Sequence, residues 1–158
     1  MSGHYDLIVI GSGPAGQKGA INAAKYGKRV ALIEQRDLLG GVCLQTGTIP
    51  SKALREAIIH LTGFHQRAFY GLSYTVKQRI TMRDLMFRCS QIIRTEMDLI
   101  RRQMERNNVD LLTGMASFVD PHTIHISSMG EQRDITGDCI LIAVGTTPAR
   151  PDFVPFMP

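Results

Sequence analysis

Two groups of residues in this sequence have types and spacings that could do chemistry. The first is Gly11-Ser12-Gly13-Pro14-Ala15-Gly16, which fits G-x-G-x-x-G. In that spacing Gly11 permits a tight turn, Gly13 lets the backbone approach a pyrophosphate, and Gly16 lets a helix pack closely on a strand. A helix opening there offers free N–H groups and a partial positive charge to the anion. The second group is GGVCLQTGTIPSK, from Gly40 to Lys52, with a cysteine at Cys43 and a threonine at Thr48. Two thiols in such a loop would exchange with a disulfide, whereas one thiol and a hydroxyl cannot.

A glycine turn binds a dinucleotide only between the right elements. YDLIVIGSG predicts a buried strand, Tyr5 to Ile10, running into the turn. AGQKGAINAAKYG predicts a helix that ends at Gly27, the usual residue just past a helix. RVALIEQ predicts a second apolar strand, Arg29 to Ile33, completing a βαβ unit and implying a parallel sheet. Glu34 ends that strand, close to the ~20 residues after the glycines expected of an acid that binds ribose hydroxyls. Such a carboxylate would repel a 2′-phosphate. A chance glycine turn with a surface glutamate would not supply strand, helix, strand and acid in this order.

Beyond Gly40-Gly41 a helix is expected through SKALREAIIHLTGFH, with Pro50 starting or kinking it. Tyr70 to Ile80 reads as a loop. A long helix should run from Thr81 to Asn107, with Thr81 as N-cap and Asp84 three residues on. Met82, Leu85, Met86, Cys89, Ile92, Ile93, Met97, Ile100 and Met104 form one stripe at helical spacing, read as core rather than as a partner-binding face. The C-terminal part carries strand-like runs split by turn residues, and a β-meander is the expected form. His122 and His125 fall there without a third ligand nearby, so they read as half-exposed strand residues and no metal site is assigned.

Composition narrows the class. The 158 residues suit one domain, and 44% hydrophobic content can bury a core. The net charge of +4 comes from 18 basic and 14 acidic residues. The densest group, Arg79, Arg83, Arg88, Arg94, Arg101, Arg102 and Arg106, alternates with apolar residues at helical spacing and reads as a solvated face. No basic run with interleaved aromatics points to nucleic acid. Cys43, Cys89 and Cys139 are too few and dispersed for a disulfide framework. The N-terminus lacks the pattern of a signal peptide, and no apolar run reaches membrane-span length. A reduced, soluble, cytoplasmic protein is expected.

GGVC…GTIPSKAL after a βαβ unit resembles the flavoprotein disulfide reductase family, which includes glutathione reductase, dihydrolipoamide dehydrogenase and mercuric reductase. LLTGMASFVDPHTIHI and ILIAVGTTPARP resemble two further segments of that family's FAD domain. The resemblance covers nearly the whole chain in family order. It implies an α/β, Rossmann-like FAD-binding domain with a parallel sheet, a long helical segment and a β-meander. It implies an FAD site that includes Gly11, Gly13, Pro14, Ala15, Gly16, Glu34, Gln35 and Arg36. Gly41, Val42, Cys43, Lys52, Ala116 and Gly145 complete the implied set. Lys52, in the first turn of its expected helix, opposes the helix dipole, and the resemblance sets it beside the flavin's reactive edge. A solvated lysine is the plainer alternative.

The family's motif is C-x4-C, and Thr48 replaces its second cysteine. One branch of the family shares this departure and the run GTIPSKALR, and its members move hydride from NADPH to NAD⁺ through FAD. Resemblance to that branch implies FAD as cofactor, NAD(P) as substrates and Cys43 as a residual redox residue. A disulfide-reductase relative working with Cys43 alone, or a non-catalytic FAD-binding module, are the alternatives. Residues 1–158 are expected to be the N-terminal part of the FAD domain, without the NAD(P)-binding and dimerisation domains. Such a fragment is expected to be inactive alone, and the full-length form to be a homo-oligomer.

Overall fold

A computed structural model describes residues 3–71, 74, 77, 79–128 and 130–151. Strand β1 (His4–Ile10) is followed by helix α1 (Pro14–Lys25) and strand β2 (Val30–Glu34). The expected βαβ unit is therefore present, and Gly27 takes the left-handed conformation just past α1 with φ 75°. Next come α2 (Gly41–Gln45), α3 (Thr48–Leu61), α4 (Arg67–Tyr70) and α5 (Met82–Arg106). Strands β3 (Val109–Thr113), β4 (Met115–Asp120), β5 (Thr123–Ser128) and β6 (Glu131–Ile142) follow.

One six-stranded sheet runs in the order β3-β2-β1-β6-β5-β4. β1 pairs in parallel with β2 and β6, and β2 pairs in parallel with β3. β4, β5 and β6 form the antiparallel meander. The chain leaves β1 for β2 on one side and returns to β6 on the other. β1 is therefore a topological switch point, where a crevice opens outside the strands' carboxyl ends.

The alternation of β1 and β2 divides the core. Val9, Val30 and Leu32 pack on one face with Ala20 of α1 and Ile100 and Met104 of α5. Ile8, Ala31 and Ile33 pack on the other face with Ile124 and Ile126 of β5 and Ile135 of β6. Both faces are covered, which is why β2 reads as a continuous apolar run.

Several expectations need correction. α2 is an additional short helix, and α3 begins at Thr48, so Pro50 sits in its first turn without kinking it. Lys52 is consequently the fifth residue of α3, just past its first turn, where the opposition of the helix dipole has weakened. VDLLTGMASFVD divides at Gly114 into β3, which joins the parallel sheet, and β4, which joins the meander. Of the loop expected at Tyr70 to Ile80, Tyr70 ends α4, and residues 72, 73, 75, 76 and 78 lie outside the described residues.

α5 keeps its expected ends. Thr81 Oγ1 accepts from the Asp84 N–H while the Asp84 carboxylate accepts from the Thr81 N–H, a complete capping box. Lys77 Nζ, 2.6 Å away, and the Thr81 donors hold the Asp84 carboxyl well below the usual carboxylate range. That contribution to stability is present at neutral pH and is lost as pH falls through the depressed folded-state pKa. The stripe is buried only from Cys89 onward: Cys89, Ile100 and Met104 are core, while Met82 is 65% exposed. Among the described residues no helix is long and apolar enough to cross a membrane.

Met104→Ala should cost about 2–5 kcal/mol in urea denaturation, whereas Met82→Ala should change stability by no more than about 0.5 kcal/mol. Thr81→Ala should cost about 1 kcal/mol at pH 7. Equal losses at Met82 and Met104 would contradict this division of the stripe.

Candidate functional site

The glycine turn closes onto the ends of its neighbouring strands. The Gly11 N–H donates to the Ile33 carbonyl at 2.8 Å, and the Ala143 N–H donates to the Ile10 carbonyl at 2.8 Å. Gly11 has φ 105°, and a Cβ there would lie 2.3 Å from the Ala143 oxygen. A Cβ on Gly16 would lie 1.9 Å from the Gly11 carbonyl oxygen, so only glycine lets α1 sit this close to β1. Gly13 behaves differently: a Cβ there would meet nothing within 4 Å. Its backbone borders open space.

Gly13 is the N-cap of α1, and it supplies no side-chain cap. Pro14 occupies the first helical position, and the first turn holds no acid. The leading amides and the positive end of the helix dipole are thus left for an external anion.

Glu34 stands at the end of β2, half-buried. Its Oε2 accepts from the Ser12 N–H at 2.9 Å and from the Ser12 hydroxyl at 2.5 Å. Its Oε1 accepts from the Gln35 N–H at 2.8 Å. A carboxylate has about four acceptor positions, so Oε1 keeps capacity for a further donor. Ser12 is fully buried, and sequence reasoning passed over it as a variable position of the glycine motif. Its signal was slight: a small polar residue between two glycines.

α2 starts against the same turn. Gly41 has φ 62°, and a Cβ there would lie 2.9 Å from the Gly13 Cα. Leu44 anchors the short helix in the core, while Cys43 is half-buried. A cavity of about 470 Å³ results, within the range of small-molecule sites. Gly11, Gly13, Pro14, Ala15, Glu34 and Gln35 line it, as do Gly41, Val42, Cys43, Ala116 and Gly145. Ser12, Gly114, Met115 and the segment from Ala143 to Thr146 add walls that the sequence reading did not assign in full.

Three residues implied by the resemblance stand off this lining. Gly16 is buried behind the turn, and Arg36 and Lys52 are exposed. Cys43 is the one cysteine on the cavity. Cys89 is buried on α5 with its thiol 3.6 Å from the Pro50 carbonyl, and Cys139 is exposed on β6. His122 contacts the Gly137 carbonyl and His125 contacts Asp134, so both are engaged within the meander.

A glycine turn at the switch point of a parallel sheet, with an uncapped helix behind it and an acid on the next strand, defines a Rossmann-like dinucleotide-binding fold. The family model for pyridine nucleotide-disulphide oxidoreductases matches residues 5–155, and the chain belongs to that family. A soluble pyridine nucleotide transhydrogenase of Mycobacterium tuberculosis (strain ATCC 25177 / H37Ra) is 55% identical over 154 residues, covering 96% of this chain and 33% of its own length. Its counterpart from Colwellia psychrerythraea is 40% identical over 153 residues, with the same coverage. The Cu(II) complex of the HOCl-induced flavoprotein disulfide reductase RclA from Escherichia coli superposes with a TM-score of 0.77 at 26% identity, covering 96% of this chain and 31% of that one. The chain thus spans about a third of the length of the curated relatives it matches. The resemblance read from GGVCLQTGTIPSKALR is borne out by these relatives.

Gly16→Ala should destabilise the fold by about 1–3 kcal/mol or more, because backbone must move to admit the methyl. Gly13→Ala should leave the melting temperature nearly unchanged while weakening any dinucleotide binding. Thermal melts with and without added nucleotide check both. Equal destabilisation by the two substitutions would contradict the open cradle at Gly13.

Proposed function

We propose that residues 1–158 are the N-terminal part of an FAD-binding domain in a flavoprotein that passes hydride from NADPH to NAD⁺. The nicotinamide-binding and dimerisation domains would lie outside these residues, in keeping with the share of the relatives' length that the chain matches. The full-length protein would act in the cytoplasm as a homo-oligomer, on small nicotinamide nucleotides and without nucleic acid or membrane as partners.

The residues present fit FAD. The open cradle at Gly13 and the leading amides of α1 suit a pyrophosphate. The free capacity of Glu34 Oε1 suits a ribose hydroxyl, and the carboxylate's charge disfavours a 2′-phosphate. Gly41, Val42 and Cys43 continue the wall away from the glycine turn. When bound, FAD supplies the two-electron chemistry of NADPH + NAD⁺ → NADP⁺ + NADH, in which one hydride changes carrier. The protein's part is to bind, orient and shield. A role for Lys52 rests on the resemblance alone, since its exposed position on α3 adds no contact with the cavity.

The observation that carries this reading is Thr48, the first residue of α3, together with a cavity that holds one thiol. A dithiol route passes through two sulfurs, and position 48 supplies an oxygen. A second nicotinamide nucleotide then becomes the outlet for the hydride. The presence of Cys43 on the cavity wall favours a second reading, in which a single thiol takes part.

Stopped-flow kinetics on the full-length protein separate the two. Cys43→Ser should retain most of the rate in both half-reactions, the one with NADPH and the one with NAD⁺. Loss of the NAD⁺ half-reaction alone would put sulfur in the path and defeat the proposal. Glu34→Ala should weaken FAD binding roughly tenfold or more, because hydrogen bonds to a charged group are worth about 1.5–3 kcal/mol. Unchanged flavin retention in that variant would remove Glu34 from the site.

A further inference from the structure

Ser12 is the one buried polar side chain recorded among the described residues, 1% exposed. A serine hydroxyl has one proton to donate and two lone pairs to accept with. The Ser12 proton goes to Glu34 Oε2 at 2.5 Å, at the end of β2. Its oxygen accepts from the Gly40 N–H at 3.2 Å, at the start of α2. The Gly40 N–H also reaches the Ser12 carbonyl at 3.2 Å, and the Gln17 side-chain amide donates to that carbonyl at 2.7 Å. One hydroxyl therefore touches the acid, the glycine turn and the helix that carries Cys43. A mere space-filler in this tight position would need no hydroxyl.

We propose that Ser12 is a positioning residue that latches Glu34 and α2 to the glycine turn. The place of Cys43 in the cavity wall then depends on a hydroxyl donated from a different loop. Gly40 has no side chain of its own to hold α2, and its φ of 104° marks a sharp turn at that point. The bond to Glu34 fixes the hydroxyl proton, which turns a lone pair toward Gly40. Loss of either partner should loosen the start of α2. This inference goes beyond the FAD reading and can be tested without any ligand.

The experiment measures iodoacetamide alkylation of Cys43 by mass spectrometry, in a Cys139→Ser background that removes the exposed thiol. Cys89, 2% exposed, reports global unfolding in the same spectra. Ser12→Ala should alkylate at Cys43 roughly fivefold faster, the shift that one lost hydrogen bond of about 1 kcal/mol permits, with Cys89 still protected. Glu34→Ala should act in the same direction, and the double variant should be no faster than Ser12→Ala alone. Gln17→Met, which keeps the hydroxyl but removes a bond to the same loop, should leave the Cys43 rate near that of the unsubstituted chain. An unchanged Cys43 rate in Ser12→Ala overturns the latch. So do effects that multiply in the double variant. Cys89 reacting in step with Cys43 would assign the hydroxyl to bulk stability and also overturn it.

Discussion

The contact on which this structure depends is the approach of α1 to the end of β1 at Gly16. A methyl group there would sit 1.9 Å from the Gly11 carbonyl oxygen, well inside any tolerable separation. That closeness brings the first turn of α1 to the end of the sheet, with its amides unclaimed by any cap. The next contacts follow in sequence. Gly13 faces open space, Gly41 rests against the Gly13 Cα, and α2 starts beside the turn. Each step tolerates no side chain or needs none, so the cavity is shaped first by backbone.

The second determinant is polar. Glu34 leaves β2 with a negative charge near the positive end of α1, and Ser12 and Gln35 donors orient it. The segment after β6, Ala143 to Thr146, closes the opposite wall. β6 itself lies parallel to β1 and antiparallel to β5, so one long strand joins the nucleotide-type sheet to the meander. The meander in turn covers the second face of β1 and β2 through Ile124, Ile126 and Ile135. The two halves of the chain therefore share one sheet, with a core cluster on each face, rather than standing as separate units.

Much of this was legible in the sequence, for physical reasons. The βαβ unit announced itself through continuous apolar strands and a glycine past the helix end. The long helix was readable because Thr81 and Asp84 form a complete cap. Other features left no periodic signal. α2 has only five residues, too few for amphipathic spacing to show. The first four residues of β6, Glu131 to Asp134, are exposed and polar, and they are strand only because β5 lies beside them. Gly114 lies inside the strand-like run VDLLTGMASFVD, which showed no break there. In fact it is buried at the change from parallel to antiparallel pairing, where a Cβ would lie 2.6 Å from the Ile126 side chain. The methionine stripe overreached toward its N-terminal end, because nothing among the described residues buries Met82 there. Ser12 was invisible as a latch because its partners are distant in sequence.

The chemistry left to the cavity follows from what lines it: backbone amides, one carboxylate and one thiol. That set can hold and orient a dinucleotide, and it cannot by itself complete a dithiol cycle. The most direct test is an amide chemical-shift titration of the chain with FAD and, separately, with FMN. The account predicts that FAD moves the amides of Gly11, Ser12, Gly13, Ala15 and Gln35, with Gly41 to Cys43 following. FMN, which lacks the adenosine half, should leave Gln35 still. Shifts centred away from this cavity, or identical responses to the two flavins at Gln35, would contradict it.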